Sequence, residues 1–243
     1  MTEEIHIEPM SADFVLWRCL HGGPLSADSI ENWPPDDRTP WEKLRARNMP
    51  LLTGLMDAYG TCAILARDGD RIVGTLRFYP KAIVPTGEGE GFCLQQAYPA
   101  GPADGLAEKG FLPPERLEDR TLKIHCLMTG SPSRKSNPYQ RKGIGGRLVR
   151  GLIEWAARHG WEAIEVTTHD DLDLLYAVTG TAGKGFWQKL GFDMVKTEPQ
   201  SELCGDDEFT RAVRTQAAAA GLNPRAFTKK LTMRLDLAGR PEA

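Results

Sequence analysis

Between Asn137 and Arg147 the chain reads Asn-Pro-Tyr-Gln-Arg-Lys-Gly-Ile-Gly-Gly-Arg. Gly143, Gly145 and Gly146 stand beside Arg141, Lys142 and Arg147. Glycines let a backbone come close to a ligand, and the cations add positive charge around it. Downstream, Leu148, Leu152, Ile153, Trp155 and Ala156 recur near helical spacing, and Gly160 is placed to end that helix. Upstream, Leu122 to Thr129 is a short apolar run suited to a buried strand. The order is strand, glycine loop, helix. A helix start leaves backbone N–H groups without partners and carries partial positive charge. Gln140, Arg141, Lys142, Gly143, Ile144, Gly145 and Gly146 therefore form a seat for a phosphate or diphosphate.

Two other readings were weighed. A dinucleotide fold also begins with a glycine loop after a strand, but it spaces its glycines G-x-G-x-x-G, and Leu148 occupies the third glycine position. An ordinary turn would use glycine for geometry alone, which leaves the clustered cations without a reason.

Gln140-Arg-Lys-Gly-Ile-Gly145 resembles the Q/R-x-x-G-x-G/A loop of the GNAT family, the CoA-dependent N-acyltransferases. Phe186-Trp-Gln-Lys-Leu-Gly-Phe192 is similar to that family's helix-to-strand motif, commonly aromatic-Tyr-x-x-Leu-Gly-Phe. The two occur in the family's order, and the resemblance is sharp over about residues 121–197. It implies an α/β fold with a mixed sheet of about seven strands, splayed between the fourth and fifth, and helices on both faces. It implies one domain over residues 1–243, with insertions at about 24–40, 80–120 and 170–182. It implies acetyl-CoA as co-substrate, without a metal, and an amine acceptor on a small molecule or protein. Backbone groups at Cys126, Leu127 and Met128 would bond the pantetheine arm like an added strand, and Trp187 falls within the second motif.

Composition bounds the rest. The chain has 243 residues, 41% hydrophobic and 26% charged, with net charge −3. That is ordinary globular composition, with no broad basic face for nucleic acid. The five cysteines are isolated and form no C-x-x-C pair, which fits reduced thiols in a cytoplasmic protein and argues against a zinc site. No run approaches the length of a membrane span, and the acidic start lacks a signal peptide's apolar core.

Along the chain, Ile5 to Pro9 is a strand candidate, and Asp13 to Leu20 has helical spacing. Pro-rich residues 24–40 read as an ordered loop or lid, and Trp41 to Tyr59 as a helix broken at Pro50. Asp68-Gly69 between two strand-like runs predicts a hairpin. The 80–120 insertion would cover the cleft or make a homodimer contact. Arg134 and Lys135 would reach a 3′-phosphate or lie solvated. Ala163–Thr168, Phe192–Lys196 and Phe227–Leu237 are strands, and Asp206–Ala220 is a helix.

Amide formation from a thioester needs a base for the amine, a steadied oxyanion and an acid for the thiolate. The position matching the family's strand carboxylate is Leu122, and its acid tyrosine is replaced by Trp187, an indole that cannot serve as a proton donor. The asparagine often found before that motif is absent; Asp170 and Thr179 fall nearest. His125 on the central strand and His169 at the end of the next are replacement bases, and Tyr176 a replacement phenol. Packing roles for all three are the competing reading. Cys126 is taken as a strand residue, because transfer in the family is direct. Missing catalytic groups leave a CoA-binding module without transfer as the alternative function.

Overall fold

The computed structural model describes residues 4–18, 20, 35–83, 111–130, 138–199, 205–223 and 229–237. Seven strands form, the number expected, with helices between them. The chain divides into two compact units, residues 1–162 with 239–243, and residues 163–238. In sequence the division falls between the fourth and fifth strands.

In the first unit β1 (His6–Pro9), β2 (Ala63–Asp68), β3 (Arg71–Pro80) and β4 (Thr121–Thr129) pair antiparallel in that order. Gly69, at φ 60°, makes the predicted Asp68-Gly69 turn between β2 and β3. Helix α2 (Ile144–Arg158) buries Ile144, Leu148, Val149, Leu152, Trp155 and Ala156. Its seat is made by glycines. A Cβ on Gly151 would meet Ile7 at 3.0 Å and Ile64 at 3.3 Å, so only a glycine lets the helix lie this close to the strands. Phe78 meets Trp155 on the same face, with ring centroids 5.2 Å apart. Alternation along β3 therefore turns Thr75, Arg77 and Tyr79 to the opposite face.

Two sequence expectations fail in this unit. Residues 13–18 form no helix; Phe14 N–H instead bonds back to Ser11 O at 3.2 Å, a tight turn. Helix α1 (Pro35–Tyr59) begins inside the stretch read as a loop and runs through Pro50 without a break. Proline there removes one backbone bond, but Leu51, Leu52, Leu55, Met56 and Tyr59 are all buried beyond it. Each such burial stabilises by about 1.5–3 kcal/mol, which outweighs the lost bond. Asn48, also buried, donates to Trp17 O at 2.8 Å and pins the 13–18 segment to the helix. The expectations for residues 24–34, Arg134 and Lys135, and most of the 80–120 insertion lie outside the described residues.

In the second unit β5 (Ala163–Thr168), β7 (Lys229–Asp236) and β6 (Asp193–Pro199) pair antiparallel, with β7 central. Buried Glu165 meets Arg234 directly across, at 3.0 Å. The 170–182 insertion holds a short helix, α3 (Asp173–Thr179). Leu172 and Leu175 pack on Val213 and Ala217 of α5 (Glu208–Ala219). Between these two helices in sequence lies α4 (Lys184–Gln188).

Candidate functional site

The glycine loop is exposed from Gln140 to Gly143, and only Ile144 turns inward. Arg141 has φ 60° and Gly143 φ 74°. Left-handed backbone costs an arginine about 1–2 kcal/mol, so surrounding structure must hold the loop in this shape. Gly143 caps α2 without a side-chain bond, and a Cβ built on it would meet nothing within 4 Å. The first intrahelical bond shown runs from Arg147 N–H to Gly143 O, at 3.1 Å. Ile144, Gly145 and Gly146 precede it, so their N–H groups crown the helix end. Donors in sequence, open space and cations are what a diphosphate needs, and the loop fits such a group.

The cations are distributed differently from the sequence reading. Arg147 turns away from the loop and donates to Ile5 O beside β1. Arg150, one turn later, lies along the helix start instead: its guanidinium nitrogens stand 3.6 and 3.8 Å from a Cβ built at Gly146. Sequence reasoning missed Arg150, although the (i, i+4) spacing from Gly146 could have found it. Tyr139 was also missed. It is buried between exposed Pro138 and Gln140, and its hydroxyl donates to Asp68 Oδ2 at 2.8 Å. Lys142 Nζ stands over its ring, 6.0 Å from the centroid.

Strand β4 is half-buried from His125 to Thr129, although its first residues are buried. Gly130 N–H donates to Val73 O at 2.9 Å. With the β3–β4 register, alternation directs the backbone groups of Met128 and Cys126 to β3 and those of Leu127 away from it. Cys126 pairs with Arg77 and Ile124 with Phe78, so His125 is the extra residue of a bulge. The His125 ring lies 5.8 Å from that of Tyr79, on the face with Arg77. Burial, with the nearby Arg77 guanidinium adding to it, pulls the His125 imidazole down to about 4. It is neutral at physiological pH. Arg77 itself is buried and donates to Leu16 O at 2.8 Å. Burial pushes the neighbouring Cys62 thiol up to about 12, so it is not a nucleophile.

In the second unit, two of the expected residues come together around one short segment. Thr168 Oγ1 and Trp187 Nε1 both donate to Ala182 O, at 2.5 and 3.1 Å. Lys184 N–H donates to His169 O at 2.9 Å, and its ammonium meets Asp170 at 2.5 Å. The Asp171 carboxylate accepts from Gly185 N–H at 2.9 Å, at the start of α4. Trp187 is fully buried, with Phe186 and Phe192 in edge contact. His169 is buried, and its Nδ1 lies 2.7 Å from Asp170 O. A carbonyl only accepts, so Nδ1 is the donor in that bond. Tyr176 is 45% exposed on α3, apart from this cluster. Among the described residues, no group of three His, Cys, Asp or Glu side chains is arranged to hold a metal ion. Among them, too, no helix is long and apolar enough to cross a membrane.

An α/β chain whose cation-flanked helix start lacks a side-chain cap fits a phosphorylated ligand. Residues 134–192 match the model of the acetyltransferase (GNAT) family. No curated protein matches the chain. Among solved structures, it is similar to a GNAT-family protein from Desulfovibrio desulfuricans, 15% identical, covering 87% of each chain with a TM-score of 0.43. A GNAT family acetyltransferase from Elizabethkingia anophelis, with acetyl-CoA bound, is 16% identical over 96% of this chain and 97% of its own, with a TM-score of 0.40. An aminoglycoside 6′-acetyltransferase of type Ii is 21% identical over 80% and 96%, with a TM-score of 0.36.

Proposed function

We propose that the chain is an acyl-CoA-dependent N-acyltransferase that passes an acetyl group to a primary amine of a small molecule or protein by direct attack. The carrying observation is the open N-terminus of α2, crowned by Ile144, Gly145 and Gly146 inside the segment that matches the family. When bound, acetyl-CoA supplies a thioester carbonyl with a thiolate leaving group. Gln140 to Gly146 would hold its diphosphate, with Arg141, Lys142 and Arg150 as counter-charges. Backbone groups of β4, those of Leu127 above all, would bond the pantetheine arm. His169, its Nδ1 bonded to Asp170 O, is the candidate base. His125, held at about 4, is a poor proton acceptor at neutral pH. Tyr176 is the candidate phenol for protonating the thiolate. Holding the two reactants together contributes most of the acceleration in this reading. The partly buried Cys126 thiol fits a reducing, cytoplasmic setting.

A second reading, a CoA-binding module without transfer, is favoured by Trp187, a buried and bonded indole at the family's phenol position. Calorimetric titration of acetyl-CoA tests the shared premise, and absence of binding at millimolar ligand rejects both readings. Turnover against an amine panel then separates them, since binding without thiol release leaves only the module.

A further inference from the structure

Tyr139, only 8% exposed, sits between two exposed neighbours, two residues before the left-handed Arg141. Its hydroxyl ends on Asp68, the last residue of β2, seventy-one positions earlier. Asp68 is itself fixed, because it pairs with Arg71 across the Gly69 turn. Farther along, Ile144 and Leu148 rest on Gly74. The loop is thus fastened to the first sheet at both ends, by Tyr139 before it and by the first turn of α2 after it.

We propose that Tyr139 is a positioning residue for the diphosphate loop: latched to Asp68, it holds Gln140 to Gly146 in the ligand-ready shape before any nucleotide arrives. This rests on the acyl-CoA reading above. The physical reason is ordering cost. Arg141 in left-handed backbone is not the state a free loop prefers. A ligand that had to impose that state would bind more weakly by the cost of imposing it. A partly buried hydrogen bond to a carboxylate is strong enough to prepay that cost.

The test uses the full chain. In Tyr139→Phe, acetyl-CoA dissociation constants rise about five- to tenfold, while kcat at saturating acetyl-CoA stays within twofold. Hydrogen exchange at the amides of residues 140–146 in the ligand-free protein becomes faster, and that of α2 beyond Leu148 is unchanged. Asp68→Ala reproduces both effects, and Asp68→Asn, which keeps an acceptor for the hydroxyl, restores most of the affinity. Combining Tyr139→Phe with Asp68→Ala adds nothing to either alone. Unchanged loop exchange in Tyr139→Phe overturns the latch, as does an equal fall in kcat, or Asp68→Asn behaving like Asp68→Ala. If the unaltered chain binds no acetyl-CoA, the acyl-CoA reading fails. The exchange comparison needs no ligand and still judges the latch separately.

Discussion

Gly74 of β3 lies directly under Ile144, the first residue of α2: a Cβ on the glycine would stand 3.1 Å from Ile144 Cγ2 and 3.2 Å from Leu148 Cδ1. Ala66 crowds the same point from β2, at 3.1 Å. The helix start that would carry the diphosphate is therefore set by the size of one strand residue. Gly74→Val should overpack this contact and cost about 1–3 kcal/mol. A lowered midpoint in urea, with weakened acetyl-CoA binding measured well below that midpoint, is the expected pair of results. Unaltered affinity would mean that the helix start tolerates the shift.

The two arginines of the first helical turns should separate cleanly. Arg150→Ala removes the guanidinium that lies along Gly146 and should raise the acetyl-CoA dissociation constant about three- to tenfold. It should also flatten the dependence of that constant on salt. Arg147→Ala removes a bond to Ile5 O and should lower the melting temperature with less than a twofold change in affinity. Calorimetry at two ionic strengths checks both variants.

Acid should loosen the first unit through His125. Its folded value, about 4, lies below the ordinary 6.5, so the unfolded chain takes up the proton first as pH falls. Stability contributed by the neutral ring is complete above about 6.5 and is lost progressively down to about 4, by about 1–3 kcal/mol. His125→Gln should flatten the stability curve between those limits in denaturant titrations. Because His125 does not titrate between pH 5 and 8, the same variant should leave the shape of any kcat profile in that range unchanged.

Trp187 tests the boundary between packing and chemistry. Its indole donates to Ala182 O, and its rings fill the contact with Phe186 and Phe192. Trp187→Phe leaves that carbonyl one donor short and opens space, so it should cost about 1–3 kcal/mol. Thermal melting should show the loss, and acetyl-CoA affinity should change less than twofold.

Much of the frame was readable because its causes are local. Hairpin β2–β3 follows from Asp68-Gly69, and helix α2 from apolar spacing that ends at Gly160. The shape of the glycine loop follows in part from Gly143, whose left-handed backbone disfavours most other residues. Helix α1 was misread at Pro50, because the proline's cost is visible in sequence and the burial that offsets it is not.

The sequence by itself determined which residues could meet a diphosphate, because backbone conformation and charge belong to neighbours in the chain. Tertiary structure decided how the side chains around the loop are disposed: Arg147 is drawn off to Ile5, Arg150 is laid along Gly146, and Tyr139 is tied to Asp68. It also decided that burial, with Arg77 nearby, lowers His125. Those outcomes depend on partners that are distant in the chain, and only folding brings them within bonding distance.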